Sequence, residues 1–197
     1  MTQVAALFVD QRGVYAGLVG VDAWGEERDA RLYAGPAPVV AHPPCARWCR
    51  LAGFVESRGG RRRGDHAGCF ASALASVRRW GGVLEHPAHS KAWEAHGLLP
   101  PPTGGGWVTA GLGSAGWTCY VEQARYGHKI RKGTWLFACG TDLPELRWGF
   151  TRGDMLGEYS WAGGRSQHGR PRLPASERAR TPPEFRDVLL AMARSAR

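Results

Sequence analysis

The stretch Val39-Val40-Ala41-His42-Pro43-Pro44-Cys45-Ala46-Arg47-Trp48 decides how this chain folds. Two β-branched residues and an alanine make a short apolar run, and a Pro-Pro pair ends it. The prolines fix φ and remove two backbone donors, so the chain leaves the strand as a stiff, extended loop that carries Cys45. Downstream, Gly82-Val83-Leu84-Glu85-His86-Pro87 repeats the design: an apolar run, a carboxylate at its end, a proline stop. Between the two, Ala67 to Trp80 reads as a helix with Phe70, Leu74 and Val77 on its buried face, stopped by Gly81-Gly82. Strand, helix, strand predicts a parallel α/β sheet.

Working outward, residues 4–9 read as a buried strand ending at Asp10, and Val21 to Trp24 as a second short strand after the Gly-containing segment 11–20. Glu26 to Tyr33 reads as a short helix or turn. Arg58 to Gly64 is a glycine–arginine run expected as a loop, and Pro100 to Gly106 a turn-rich connector. Trp117 to Gln123 and Thr134 to Ala138 read as two further strands. From about residue 150 the chain turns Gly-, Arg- and Ser-rich. It recovers at Thr181-Pro182-Pro183-Glu184, a helix start followed by the stripe Phe185, Val188, Leu189 and Met192. The expectation is a reduced Rossmann-like, mostly parallel sheet of about five to six strands flanked by helices. Residues 1–150 form the catalytic α/β domain in this reading, and 151–197 a basic Gly/Arg-rich segment whose final helix packs on it.

The 197 residues suffice for one domain with a core. No apolar run reaches the roughly 18 residues of a membrane span, and no signal-peptide pattern opens the chain, so a cytoplasmic location is expected. The net charge of +9, clustered and interleaved with nine tryptophans, favours a polyanionic partner, nucleic acid first. Arg61, Arg62 and Arg63, together with Lys129, Arg131 and Lys132, are the candidate phosphate contacts. The odd count of five cysteines argues against a disulfide framework. Cys49, His66 and Cys69 match no common zinc spacing, so no metal is expected.

A thiol and a carboxylate at neighbouring strand ends fit a covalent site for a nitrogen heterocycle. A thiolate that attacks C6 of a pyrimidine makes C5 enamine-like, able to capture an electrophile or a proton. Cationic neighbours (Arg47, Arg50, His42) are expected to give Cys45 thiolate character. Glu85 would hold and donate the proton at N3. Pro44, Arg47, Trp48 and His86 are the expected supports of the base.

Taken together, Pro44-Cys45 after one strand, Val83-Leu84-Glu85-His86-Pro87 along the next, and the basic segment from Tyr126 to Phe137 resemble the catalytic half of a C5-cytosine DNA methyltransferase. The resemblance spans roughly residues 39–140. The chain also resembles small phage-type proteins with a Pro-Pro-Cys and Glu-His-Pro signature. The resemblance implies a covalent Cys45 adduct on DNA cytosine, one-carbon transfer to C5, and a base that is flipped out or single-stranded. It also implies S-adenosylmethionine, held by a glycine loop after the first strand and an acid after the second. Here that loop reads Leu7-Phe8-Val9-Asp10-Gln11-Arg12-Gly13 and lacks the paired glycines. Asp10, with Glu26 or Asp22, would build any cofactor site. The donor stays open, a folate among the alternatives. Two other readings accompany this one: a cytosine deaminase on a cofactor-less site, and a non-catalytic DNA-binding relative.

Overall fold

The computed structural model describes residues 3–49, 52–64, 67–113, 115–151 and 173–197. His66, Arg50 and the middle of the Gly/Arg/Ser-rich segment lie outside the described residues.

Seven strands form one sheet in the order β2-β1-β3-β4-β7-β6-β5. They are β1 Val4–Leu7, β2 Val21–Trp24, β3 Val39–Ala41, β4 Gly82–Pro87, β5 Val108–Thr109, β6 Trp117–Glu122 and β7 Gly133–Cys139. The four strands β2, β1, β3 and β4 pair in parallel; β7 is antiparallel to both β4 and β6, and β5 to β6. β6 therefore runs with the parallel set, and only β7 and β5 are reversed. The α/β, mostly parallel expectation holds, and the strand beyond the expected number is the two-residue β5 on the sheet's edge. The first strand also stops at Leu7, since Phe8 adopts φ 58° and breaks the alternation.

The helices are α1 Ala52–Ser57, α2 Cys69–Trp80, α3 Lys91–Ala95, α4 Ala175–Ala179 and α5 Pro183–Arg194. The helix expected from Ala67 begins two residues later, because Ala67 (φ 48°) and Gly68 (φ 77°) are both left-handed. Side chains alternate across the sheet. Ala5, Leu7, Val39, Ala41, Leu84, Trp135 and Phe137 face α2 and α3, packing on Phe70, Leu74, Val77 and Trp93. Val4, Ala6, Val40, Val83, Leu136 and Ala138 face α5, packing on Phe185, Leu189, Leu190 and Met192. Leu190 and Ala193 share this buried face of α5, while Val188 sits at its margin. Gly82 is obligatory where α2 hands over to β4: φ is 120°, and a Cβ would lie 2.0 Å from the Val39 carbonyl oxygen.

Candidate active site

From β1 the chain crosses to β2 on one side and later returns to β3 on the other side of β1. The carboxyl ends of β1 and β3 thus form a topological switch point, where open α/β sheets bind ligands. The Pro-Pro-Cys loop starts there. His42 follows β3 directly, and its N–H donates to the Leu7 carbonyl at the end of β1 (3.0 Å).

The register pairs Ala41 with Leu84, so the next residues, His42 and Glu85, turn to the same face. His42 Nδ1 lies 2.8 Å from Glu85 Oε2, and His42 Nε2 lies 2.8 Å from the Tyr15 hydroxyl. On the other carboxylate oxygen, Gln123 Nε2 donates to Glu85 Oε1 (3.0 Å) and also to Thr134 Oγ1 (3.0 Å). Thr134 in turn donates to the Lys132 carbonyl (3.0 Å). A continuous polar chain thus runs from Tyr15 through His42, Glu85 and Gln123 to the start of β7, on the α5 face of the sheet. Tyr15, Glu85, Gln123 and Thr134 are buried. The amide oxygen of Gln123 is buried without a partner among the described residues.

Burial alone drives the Glu85 carboxyl upward. The His42 hydrogen bond and the positive fields of Lys132, His42 and His86 outweigh it and bring it down to about 2. Glu85 is therefore an ionised, fully positioned carboxylate at neutral pH. Desolvation first, and the Glu85 charge second, push the Cys45 thiol above its ordinary value, with Lys132 opposing. Burial lowers the Lys132 ammonium, and Glu85 and Cys45 hold it up. Cys45, Glu85 and Lys132 thus form one electrostatic group. The thiol itself belongs to an exposed residue at the tip of its loop. Arg50, one of the cations expected to activate the thiol, lies outside the described residues; among those described, burial and the Glu85 anion raise the Cys45 thiol and Lys132 is the cation that opposes them. Glu85 is not a resting proton donor.

Backbone strain gathers at the same edge. Phe8 (φ 58°), His89 (φ 63°) and Lys132 (φ 38°) are non-glycine residues in the left-handed region, after β1, after β4 and before β7. Such residues cost on the order of 1–3 kcal/mol each and tend to cluster at functional sites.

The remaining sequence candidates divide. Trp48 is half-buried against Phe70 and His96. Its outer side, with Arg62, Arg63 and Gly64, lines an open depression of ≈370 Å³. Gly64 lies so close over the indole that a Cβ there would come within 2.9 Å of it. Arg61, Arg62 and Arg63 are exposed, and Arg58 stacks 4.1 Å over exposed Phe54 of α1 beside them. Arg47 is half-buried, its carbonyl accepting from Gly64 N–H (3.0 Å), and Pro44 is half-buried at the root of the loop. His86 is corrected: it is fully buried on the opposite face from Glu85, its ring packed on Phe70 and Trp93, and cannot face a base in this arrangement.

Lys129 pairs with Glu177 at 2.7 Å, and Lys132 donates to the carbonyls of Ala179 and Arg180 at the end of α4. These two lysines fasten α4 instead of standing out toward phosphates; Arg131 remains exposed. Asp10 is exposed and closes its own turn, accepting from Arg12 N–H (2.8 Å). Glu26 is exposed just after β2. Asp22 is taken by Arg28 (2.5 Å) and the Trp24 indole (2.8 Å). A second cleft, of ≈440 Å³, opens past the end of β4 between His89, Lys91, Pro100, Pro101 and Trp135.

Sequence reasoning missed Tyr15 and Gln123, and took His42 only as a positive neighbour of the thiol. Strand register could have paired His42 with Glu85, one step past Ala41 and Leu84. Nothing in segment 11–20 marks Tyr15.

The class defined by this geometry is an α/β protein with a Cys-loop and a His–Glu pair beside the topological switch point of its sheet. Comparison with known proteins adds no name to that class: no family model, no curated protein and no solved structure matches the chain.

Proposed function

We propose that this chain is a DNA base-modifying enzyme that acts on a pyrimidine, cytosine first, through a covalent bond from Cys45 to C6. One observation carries the reading. An exposed thiol and an ionised, doubly hydrogen-bonded carboxylate share one electrostatic group at the carboxyl edge of the parallel strands. The arrangement suits addition of an intact thiol. The sulfur bonds to C6 as the S–H proton passes to Glu85 and on to N3, and the C5=C6 electron pair shifts to leave an enamine between C4 and C5. No thiolate need exist beforehand.

C5 then captures an electrophile. Attack of C5 on a one-carbon donor breaks the donor's bond to that carbon, and loss of the C5 proton with expulsion of the Cys45 sulfur from C6 then restores C5=C6 and gives a C5-substituted cytosine, the outcome the methyltransferase resemblance implies. S-adenosylmethionine does not fit as that family holds it. The crossover after β1 is a series of turns with no helix start to receive the cofactor, and it buries Tyr15 on the α5 face, hydrogen-bonded to His42 just after β3. That turn-built crossover favours, as a second reading, a donor of folate type or the donor-free outcome in which water displaces the C4 amine. DNA is the partner in each case. The exposed Arg61–Arg63 loop, the Trp48 depression and the Arg58–Phe54 stack support it. Among the described residues no helix is long and apolar enough to cross a membrane. A cytoplasmic location goes with the reading, because a reducing compartment keeps Cys45 a thiol.

Hydrogen exchange at C5 tests the reading without any donor. DNA carrying tritium at cytosine C5 is expected to release it to water with the wild type, not with Cys45→Ala, and far more slowly with Glu85→Gln. No release from either single- or double-stranded DNA, or equal release by Cys45→Ala, overturns it.

A further inference from the structure

We propose that His42 is the positioning residue of this site: it acts through Glu85, fixing one carboxylate oxygen while Tyr15 fixes the imidazole tautomer, so that the carboxylate meets its substrate aligned and ionised. The inference rests on the base-modification reading above and adds a component that the methyltransferase resemblance does not supply.

The hydrogen bonds run one way. Tyr15 remains a phenol, since burial first and the Glu85 charge second push its hydroxyl well above the ordinary range. With a neutral imidazole the phenol donates to Nε2, which places the ring proton on Nδ1, where it donates to Glu85 Oε2. The opposite tautomer would set a lone pair against the carboxylate. Gln123 holds Oε1, so the carboxylate plane is fixed from both ends while each oxygen keeps a lone pair for substrate. Tyr15 comes from the β1–β2 crossover, His42 from the β3 loop and Gln123 from the end of β6, so three separate elements converge on one carboxylate.

The groups that face it are few. Lys132 acts from the β6–β7 connection and the Cys45 thiol from its loop, while His86, on the opposite face of the sheet, acts only through its field. Arg186 and Asp187 of α5 act on Tyr15 with opposite signs. His42 is the titratable side chain hydrogen-bonded to the carboxylate among the described residues, with the neutral Gln123 on the other oxygen, so its removal is expected to be felt there first.

The test reads Glu85 directly and the reaction separately. Carboxyl-carbon NMR of Glu-labelled protein, assigned with Glu85→Gln, follows the Glu85 titration without substrate. In His42→Ala its midpoint is expected to rise from about 2 by roughly one to three pH units. In His42→Asn, whose side-chain amide can stand in for Nδ1–H, it returns toward the wild-type value. The acid limb of C5 hydrogen exchange moves with it in both variants. Tyr15→Phe, a milder change that guards against a folding defect in His42→Ala, moves the midpoint less, in the same direction. A Glu85 titration indifferent to both His42→Ala and Tyr15→Phe overturns the proposal. So does a displaced titration with an unmoved exchange profile. Wild-type protein that shows the expected titrations yet exchanges no C5 hydrogen overturns the parent reading instead.

Discussion

His42 and Glu85 stand side by side because β3 and β4 are parallel and in register; the residue after Ala41 and the residue after Leu84 meet with Nδ1 2.8 Å from Oε2. Two short strands, each only half a core, thereby deliver an imidazole and a carboxylate to one point. Pro43 and Pro44 end the ladder after β3, while β4 runs on past Glu85 through His86 and Pro87 against β7.

The first consequence is a pH dependence of stability. The folded Glu85 carboxyl is depressed from 4.5 to about 2. Its contribution is complete above the unfolded value and is lost as pH falls through the folded one. Over that window the loss is about 3 kcal/mol. Urea denaturation at pH 7, 4 and 2.5 is expected to show a steeper acid loss in the wild type than in Glu85→Gln. Parallel losses would contradict the depressed carboxylate.

Cys45 chemistry follows from the same charge. Alkylation of Cys45 by iodoacetamide, followed by mass spectrometry, is expected to be slow at pH 7 and to climb only above the ordinary thiol range. Glu85→Gln removes the anion that raises the thiol and speeds labelling; Lys132→Met removes the opposing cation and slows it. Moving the thiol pKa by one changes the thiolate fraction about tenfold. Labelling that is fast at pH 7 and blind to both substitutions would refute this electrostatic group.

DNA binding should separate the two basic segments. Replacing Arg61, Arg62 and Arg63 with alanine is expected to flatten the salt dependence of affinity, by about 0.9 in the log–log slope for each phosphate they neutralise on a duplex. Lys129→Ala should leave the slope unchanged, since that lysine is held by Glu177. Fluorescence anisotropy across a salt series reads both. A slope that ignores the three arginines makes the loop a solvated bystander.

Calorimetry with S-adenosylmethionine is expected to show no saturable binding, because the crossover after β1 is built of turns and offers no glycine loop or helix start to the cofactor. Micromolar affinity would contradict that and restore a methyltransferase of the ordinary kind.

Much of this fold is legible in the sequence. The apolar runs at 39–41 and 83–84 and the Phe70–Leu74–Val77 stripe point to the parallel core, and the Pro-Pro pair puts Cys45 on the loop after β3; Glu85, expected at a strand end, instead lies inside β4 opposite Leu136, because the strand continues through Pro87. Less visible is what local pattern does not encode. β5 is two residues long, and α3 rests on Ala92 and Trp93. α1 shows Phe54 and Val55 to solvent, so no buried stripe announces it. The reversal of β7 follows from the short link after β6, which is too brief for a parallel crossover. His86 reads as part of the site because it adjoins Glu85, yet alternation along a strand sends neighbours to opposite faces. Tyr15 reaches His42 from 27 residues away and has no signature in its segment.

The central claim, a covalent bond from Cys45 to C6 of a pyrimidine, is tested most directly by mass. An oligonucleotide carrying 2-pyrimidinone in place of cytosine presents a more electrophilic C6. Incubation with the wild type is expected to yield one species at the summed mass of protein and oligonucleotide, with the cross-link mapped to the peptide ending at Arg47. No adduct with the wild type, or an adduct that persists in Cys45→Ala or maps to Cys49, would contradict the account.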